Sequence, residues 1–346
     1  MDSPNPVPLH RRMIEHRTVL QMVVLGAIVF LLIPHLVGAD RVLDALRRAN
    51  PTFIALAALA EIARYVASAA STRALARMFQ RVVPMVPLVQ AFFAGAAANR
   101  TFSTGGAPGM LVRLLCLKRY GVNTGGVAAL FLIENINGLI VGIPILLIGI
   151  ALIASAHRAL PFDVHWGSTI VLGAIAVVCV YLYTRRDWVE RVALWLGRGL
   201  DRVALKILHR PVFARARVLK WVNDFYAGIS AARAAPLLVG ISLLMNLTRY
   251  AAGMIALFLT FRAVNCEIAP DILILIYTSA SFLTTLSAAP GEVAIMGSGI
   301  AILSLAAGIP QEIAVTALLL SRGLAFWLPL PVGYAAMWNM IRQGHL

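Results

Sequence analysis

Residues 124–155 read TGGVAALFLIENINGLIVGIPILLIGIALIAS, and this stretch decides the class of fold. Its only charged residue is Glu134. A helix needs roughly 20 apolar residues to cross the hydrocarbon core of a bilayer, so this stretch is long enough to span it. We therefore predict a membrane-spanning helix here, with one ionisable group inside the membrane.

The composition of the whole chain also indicates that the protein lies in a lipid bilayer. Of its 346 residues, 60% are hydrophobic and 13% are charged, whereas an ordinary soluble domain has about 25% charged residues. We predict an all-α integral membrane protein, a single polytopic domain over residues 1–346 with about six spanning helices. Besides the first stretch, the predicted spans are residues 19–37, 53–71, 166–183, 236–261 and 312–340.

Two pairs of shorter apolar segments lie between these spans, each pair joined by proline and glycine. The first pairs residues 86–99 with 109–119, and the second pairs residues 271–286 with 293–307. Each arm is short for a crossing, which favours re-entrant or broken helical hairpins. If the hairpins partly span instead, the membrane domain has eight segments.

The two hairpins carry the same tripeptide at their bends. Ala107-Pro108-Gly109 recurs as Ala289-Pro290-Gly291, and a long helix follows each hairpin. Residues 86–155 and 271–340 then form two hairpin-plus-helix units that enter from opposite sides, an inverted repeat with a binding site near the midplane. The alternative is a chance recurrence in an alanine-rich chain.

Lysine and arginine concentrate on one side of this topology. With the N-terminus in the cytoplasm, 21 of the 30 fall on the cytoplasmic side, Arg113 among them, and 5 on the other. The basic segment 185–233 has the pattern of an amphipathic helix at a membrane interface. We predict a multi-pass protein of a bacterial-type inner membrane with both termini cytoplasmic. The charge lacks the features of a nucleic-acid module, so nucleic acid is not a predicted partner.

The polar turn of the first hairpin is one candidate binding site. Its glycines let the backbone approach a ligand, and a half-helix starting near Gly109 would present free N–H groups at mid-membrane. An anion such as a lipid phosphate fits this turn, and tight helix packing is the alternative. The candidate residues are Asn99, Arg100, Thr101, Ser103, Gly105, Gly106, Pro108, Gly109 and Arg113.

Ionisable groups inside the spans form a second candidate set, because an isolated charge in a bilayer costs several kcal/mol. Glu61 and Arg64 are three residues apart on one helix and predict an internal ion pair. The other groups either neutralise one another, as Glu134 with Arg249 and Glu292 with Arg322, or contact substrate. With their neighbours they are Glu134, Asn135, Asn246, Arg249, Tyr250, Pro290, Gly291, Glu292 and Arg322.

These residues resemble the transmembrane-domain family named after lysylphosphatidylglycerol synthase, which are flippase-like membrane proteins. The resemblance rests on the polar turn with Gly105-Gly106, on Lys118-Arg119-Tyr120-Gly121, on Ala128-Ala129 leading to Glu134, and on Leu319-Leu320-Ser321-Arg322 through Trp327-Leu328-Pro329 to Gly333. It implies a helical domain that moves lipids or lipid-linked precursors between leaflets. The expectation is a stand-alone membrane domain without the soluble aminoacyltransferase domain of the best-known members.

The leading hypothesis is a lipid flippase-like transporter with anionic membrane lipids as partners. No metal spacing, P-loop, nucleophile elbow or His-Glu-x-x-His is present, so we predict no catalytic residue, no metal and no cofactor. The alternatives are a membrane-embedded transferase acting on a lipid, and a membrane partner of a separate soluble lipid-modifying enzyme. A homo-oligomer or a complex with a lipid-synthesising enzyme is compatible with either.

Overall fold

The computed structural model describes residues 47–101, 106–155, 185–195, 215–286 and 308–344. Across these ranges the chain is helical and has no strand. A 3-10 turn at Arg77–Phe79 and a helical piece at residues 186–195 accompany nine α-helices. The α-helices are α1 (Pro51–Ala76), α2 (Met85–Thr101), α3 (Ala107–Arg119), α4 (Thr124–Ser155), α5 (Arg215–Ala234), α6 (Pro236–Ala263), α7 (Pro270–Leu286), α8 (Gln311–Trp327) and α9 (Pro329–Arg342).

Four described helical segments are long and apolar enough to cross a membrane, and they coincide with four of the six predicted spans. The other two predicted spans, residues 19–37 and 166–183, lie outside the described residues. Large apolar side chains such as Leu237 and Trp338 are exposed on the outer faces, as suits contact with lipid. The four segments are Pro51–Phe79, Thr124–Ile153, Pro236–Ala263 and Ile313–Arg342.

Helices α1 and α6 run antiparallel, in contact along nearly their whole length. At one end, the N–H of Asn50 donates to the carbonyl of Ala263 at 2.8 Å. At the other end, the hydroxyl oxygens of Ser71 and Ser242 are 2.8 Å apart. Asn50 also caps α1, because its side chain accepts a hydrogen bond from the N–H of Thr52. This pair forms the centre of the described bundle.

The first predicted hairpin is present as two helices, α2 and α3, packed closely together. A Cβ added to Gly95 of α2 would lie 3.0 Å from the carbonyl oxygen of Gly109 in α3, so the two backbones nearly touch. Of the second hairpin, α7 is the first arm, while residues 293–307 lie outside the described residues.

The first arm of each hairpin packs against a long helix from the other half of the chain. Helix α2 of the first unit packs against α9 of the second, and α7 of the second unit packs against α4 of the first. Glycines allow both approaches: Gly333 of α9 lies against the backbone of Phe93, and Gly149 of α4 lies against Ile274.

The described part of the basic segment packs against protein through its apolar face. Val222, Phe225 and Ile229 of α5 are buried, and Phe225 and Ile229 cluster with Ala129 of α4. A Cβ on Gly125 of α4 would lie 2.7 Å from the backbone of α5, so small residues permit this contact. The amphipathic pattern predicted for residues 185–233 is therefore real in α5, but its apolar face covers the start of α4.

Candidate functional site

Glu134 of α4 forms an ion pair with Arg113 of α3, and both side chains are mostly buried. The Thr72 hydroxyl of α1 donates to the same carboxylate and accepts a hydrogen bond from Arg113 at 3.2 Å. The predicted pairing of Glu134 with Arg249 is therefore wrong, because α3 supplies a closer guanidinium. Arg113, which the predicted topology counts on the cytoplasmic side, has its side chain inside the bundle.

Two aromatic rings enclose the Arg113 guanidinium. Its Cζ lies 4.2 Å from the ring centroid of Phe92 and 4.6 Å from that of Phe131. An arginine over the face of an aromatic ring gains a cation–π interaction, which is stronger when water is excluded. The rings and Thr72 thus complete the surroundings of the Arg113–Glu134 pair, where helices α1, α2, α3 and α4 meet.

A network of uncharged polar side chains continues this layer toward α6. The Asn137 amide donates to the Ser242 hydroxyl at 3.0 Å, and the Asn246 amide donates to the Ser71 hydroxyl at 3.1 Å. All four side chains are buried. Asn137 is one turn after Glu134, and Ser71 precedes Thr72, so the network adjoins the ion pair. Together they form a polar layer through helices whose outer faces are apolar.

Arg249 of α6 lies at the edge of this layer and has no acidic partner among the described residues. Its buried Nε has no hydrogen-bond partner there. The Cζ lies 5.0 Å from the ring centroid of Tyr250, which meets the ring of Tyr277 at 6.0 Å. A Cβ on Gly138 of α4 would lie 3.8 Å from Nη2, so the guanidinium faces a position without a side chain. An anionic group would complement the charge of this guanidinium.

Asn99, at the edge of the hairpin turn, contributes to the geometry of the hairpin itself. Asn99 at the end of α2 accepts a hydrogen bond at 2.6 Å from the N–H of Gly109, one of the N–H groups that we expected to face a ligand. Gly106 precedes α3 with φ of 85°, a conformation that strongly favours glycine. Because Asn99 caps α3 across the turn, the hairpin closes on itself.

Arg100 joins the hairpin to the second half of the chain. Its guanidinium donates to the carbonyls of Ala96 and Ala325, and its Cζ lies 6.0 Å from the ring centroid of Phe326. These contacts hold the end of α2 against α8. The Nε of Arg100 is buried without a hydrogen-bond partner among the described residues.

The remaining predicted site residues fall into three groups. Asn135 is exposed on the outer face of α4 and donates to the carbonyl of Phe131, so it does not join the polar layer. Arg322 is partly buried on α8, and Pro108 is partly buried in the first turn of α3. The residues whose side chains lie outside the described part of the chain are Thr101, Ser103, Gly105, Pro290, Gly291 and Glu292.

The predicted site residues included one uncharged member of the polar layer, Asn246, and left out four others. Ser71, Thr72, Asn137 and Ser242 bind its charged and amide groups, yet serine and threonine are ordinary in packed membrane helices. The one available signal was spacing, because Asn137 is a turn from Glu134 and Ser242 is a turn from Asn246. The predicted pair of Glu61 and Arg64 is present, with Nε to Oε2 at 2.8 Å.

Comparison with known families identifies the family of proteins to which the chain with this polar layer belongs. The sequence model of the family described as the lysylphosphatidylglycerol synthase TM region matches residues 19–333, which is most of the chain. The chain belongs to this family. The match confirms the resemblance that the hairpin turn, Glu134 and residues 319–333 indicated. No curated protein and no solved structure matched the chain. Membership of the lysylphosphatidylglycerol synthase TM family, with the apolar helices, identifies a membrane domain.

Proposed function

We propose that this membrane domain is a flippase-like transporter that moves an anionic phospholipid or a lipid-linked precursor between leaflets. The observation that carries the proposal is the buried polar layer, which runs through helices with apolar outer faces. Polar and charged groups inside a membrane are costly and typically line substrate pathways. In this proposal the headgroup passes along the polar layer while the acyl chains stay in the bilayer.

The packing of the helices supports an inverted repeat as the framework of this pathway. Helices α1 and α6 are antiparallel, and the first arm of each hairpin packs against the long helix of the other unit, α2 on α9 and α7 on α4. Two units related by an axis in the membrane plane would produce this exchange. Secondary transporters with inverted repeats bind substrate near the midplane between the repeats, and in this proposal the polar layer is that site.

Arg249 and the hairpin turn are the proposed contacts of the headgroup. Arg249 has no acidic partner among the described residues, and at the end of α2 the buried Nε of Arg100 has no hydrogen-bond partner there either. Membership of the family named after a lipid synthase supports a lipid as the cargo.

Replacing Arg249 with alanine is expected to slow headgroup translocation about tenfold or more. A hydrogen bond to a charged group contributes about 1.5–3 kcal/mol, which corresponds to a tenfold or larger change in binding. The measurement is the rate at which a fluorescent phosphatidylglycerol analogue becomes accessible to a membrane-impermeant quencher in vesicles containing the purified protein.

The matched control is Arg262→Ala, at the end of the same helix. Arg262 pairs with exposed Glu267 at 2.6 Å, and its loss should leave translocation unchanged. Equal rates for wild type and Arg249→Ala, in variants that remain folded, would remove Arg249 from the mechanism. Recovery of a chemically altered lipid would favour the transferase alternative, and no translocation above protein-free vesicles would reject transport.

We further propose that the protein lies in a bacterial-type inner membrane with both termini in the cytoplasm, which places Cys266 on the outer side. Cys266 lies between α6 and α7 and is half-buried. In a Cys179→Ser background, an impermeant maleimide added to intact spheroplasts should label Cys266 and leave fully buried Cys116 unlabelled. Labelling only after lysis would reverse the orientation.

The pH dependence of this labelling is a second readout. Burial, and then the neighbouring Glu267 carboxylate, raise the pKa of the Cys266 thiol. The thiolate is the nucleophile, so less of it is present at neutral pH than for an ordinary thiol. Labelling should therefore be slow near pH 7 and still accelerate at a pH where a free thiol has reached its maximal rate.

A homo-oligomer or a complex with a separate lipid-synthesising enzyme remains part of the proposal. Anionic lipids are the proposed partners within the bilayer. Co-purification from the native membrane after crosslinking is the measurement, and recovery of a lipid-modifying enzyme with the protein would support the second arrangement.

A further inference from the structure

Two short segments in the central helix pair have matching sequences. Helix α1 contains Glu61-Ile62-Ala63-Arg64-Tyr65, and helix α6 contains Asn246-Leu247-Thr248-Arg249-Tyr250. Both segments end in Arg-Tyr, and the residue three positions before the arginine is glutamate in one and asparagine in the other. The match would be weak evidence by itself, so its meaning depends on where the two segments lie.

The two segments occupy equivalent places in the antiparallel pair. Arg64 is fourteen residues after Asn50, and Arg249 is fourteen residues before Ala263, the residue that Asn50 contacts. From the other end, Arg64 is seven residues before Ser71 and Arg249 is seven residues after Ser242. Both arginines are thus near the middle of their helices, at the same level along the pair.

The aromatic surroundings of the two arginines also match. Arg64 lies over the ring of Tyr65 at 4.9 Å, and Tyr65 stacks on Phe93 of α2 at 4.5 Å. Arg249 lies over the ring of Tyr250 at 5.0 Å, and Tyr250 meets Tyr277 of α7 edge to face at 6.0 Å. In each helix of the pair, a cation covers a tyrosine that contacts a ring on the first arm of a hairpin, α2 for Tyr65 and α7 for Tyr250.

The difference between the two places is one negative charge. Glu61 neutralises Arg64 with both Nε and Nη2 at 2.8 Å from Oε2. The equivalent residue of α6, Asn246, carries no charge and donates its amide hydrogens to Ser71 and to the carbonyl of Ser242. The middle of the helix pair therefore holds two arginines and one carboxylate, which leaves one positive charge without an anion among the described residues.

We propose that asparagine at position 246, where α1 has Glu61, makes Arg249 a binding site for one phosphate group of a lipid headgroup. The assignment of the phosphate to a lipid rests on the proposed function. A phosphodiester carries one negative charge, which matches the single charge that is missing. Its oxygens accept two parallel hydrogen bonds from a guanidinium, as a carboxylate does. The phosphate thus takes the place beside Arg249 that Glu61 takes beside Arg64.

The test introduces a carboxylate beside Arg249 by mutation of Asn246. Purified protein in detergent is titrated with phosphatidylglycerol, and bound lipid is counted by native mass spectrometry. Asn246→Glu should weaken binding at the site by about tenfold or more, because the new side chain occupies Arg249. Asn246→Ala also removes the amide contacts but adds no charge, so it should weaken binding much less than Asn246→Glu does.

Two further variants act on the arginines. Arg249→Met should weaken binding at least as much as Asn246→Glu, and Glu61→Gln should add a second lipid by releasing Arg64. Equal loss in Asn246→Ala and Asn246→Glu would overturn the proposal, as would unchanged binding in Arg249→Met. Thermal unfolding of each variant identifies those that have lost the fold, and the comparison is made among variants that retain it.

Two further experiments distinguish this site from its alternatives. Inorganic phosphate in millimolar excess should leave the lipid bound, and its displacement of the lipid would overturn the assignment to a headgroup. Arg249-dependent binding without translocation in vesicles would support the site and reject the proposed transport. Translocation that is unaffected by Asn246→Glu would support transport and reject the site.

Discussion

Replacing Glu134 with glutamine is expected to destabilise the protein by about 3–5 kcal/mol, because it leaves the buried Arg113 guanidinium without a counter-charge. Glutamine keeps the size of the side chain and one acceptor oxygen, so the loss is mainly electrostatic. The measurement is the midpoint of thermal unfolding in detergent, followed by intrinsic tryptophan fluorescence.

The control for this prediction is Glu267→Gln, the same substitution in an exposed pair. Glu267 pairs with Arg262 but its side chain is 82% exposed, and an exposed ion pair contributes at most about 1 kcal/mol. The double variant Arg113→Met with Glu134→Gln should recover much of the stability, because it leaves no unpaired charge. Equal midpoints for Glu134→Gln and Glu267→Gln would contradict the buried pair.

Replacing Gly333 with alanine is expected to destabilise the protein by about 3 kcal/mol through overpacking. The added Cβ would overlap the carbonyl oxygen of Phe93 and lie 2.7 Å from the Cβ of Ala97, both on α2. Because most of these atoms belong to backbone, α9 must move away from α2. The same unfolding measurement checks the effect.

Gly240→Ala provides a control with the opposite expected sign. Gly240 is inside α6, and nothing lies within 4 Å of a Cβ added there. Alanine favours a helix over glycine by about 1 kcal/mol, so this variant should be as stable as wild type or more stable. A neutral Gly333→Ala would show that α2 and α9 do not pack as described, and would remove one of the contacts that support the inverted repeat.

The helices could be predicted because their signal is local. Hydropathy over a bilayer's length identified the spans that coincide with α1, α4, α6 and the α8–α9 segment. Proline and glycine marked the ends of α2 and α3 to within a few residues. The Glu61–Arg64 pair was also predictable, since residues three apart on a helix face the same side.

The partners of the isolated charges were beyond sequence reasoning. Glu134 has arginines at similar membrane depth on several helices, and hydropathy does not say which helix packs beside α4. The prediction of Asn135 instead of Asn137 could not be corrected from sequence either, because residues two apart on a helix face different directions and either could have pointed inward. Only the packing of α4 against α1, α6 and α7 directs Asn137 into the layer and Asn135 outward.

The sequence by itself determined the solvent, the helical class, the family and the number of charges that the membrane must accommodate, because composition and hydropathy depend on no distant contact. Tertiary structure alone decided which charges cancel. It joined Arg113 to Glu134 across two helices and set Arg64 and Arg249 at one level in an antiparallel pair, where the described residues supply a carboxylate to Arg64 and none to Arg249. Electrostatic pairing acts over a few ångströms in space, and residues from opposite ends of the chain meet at that range only after the helices pack.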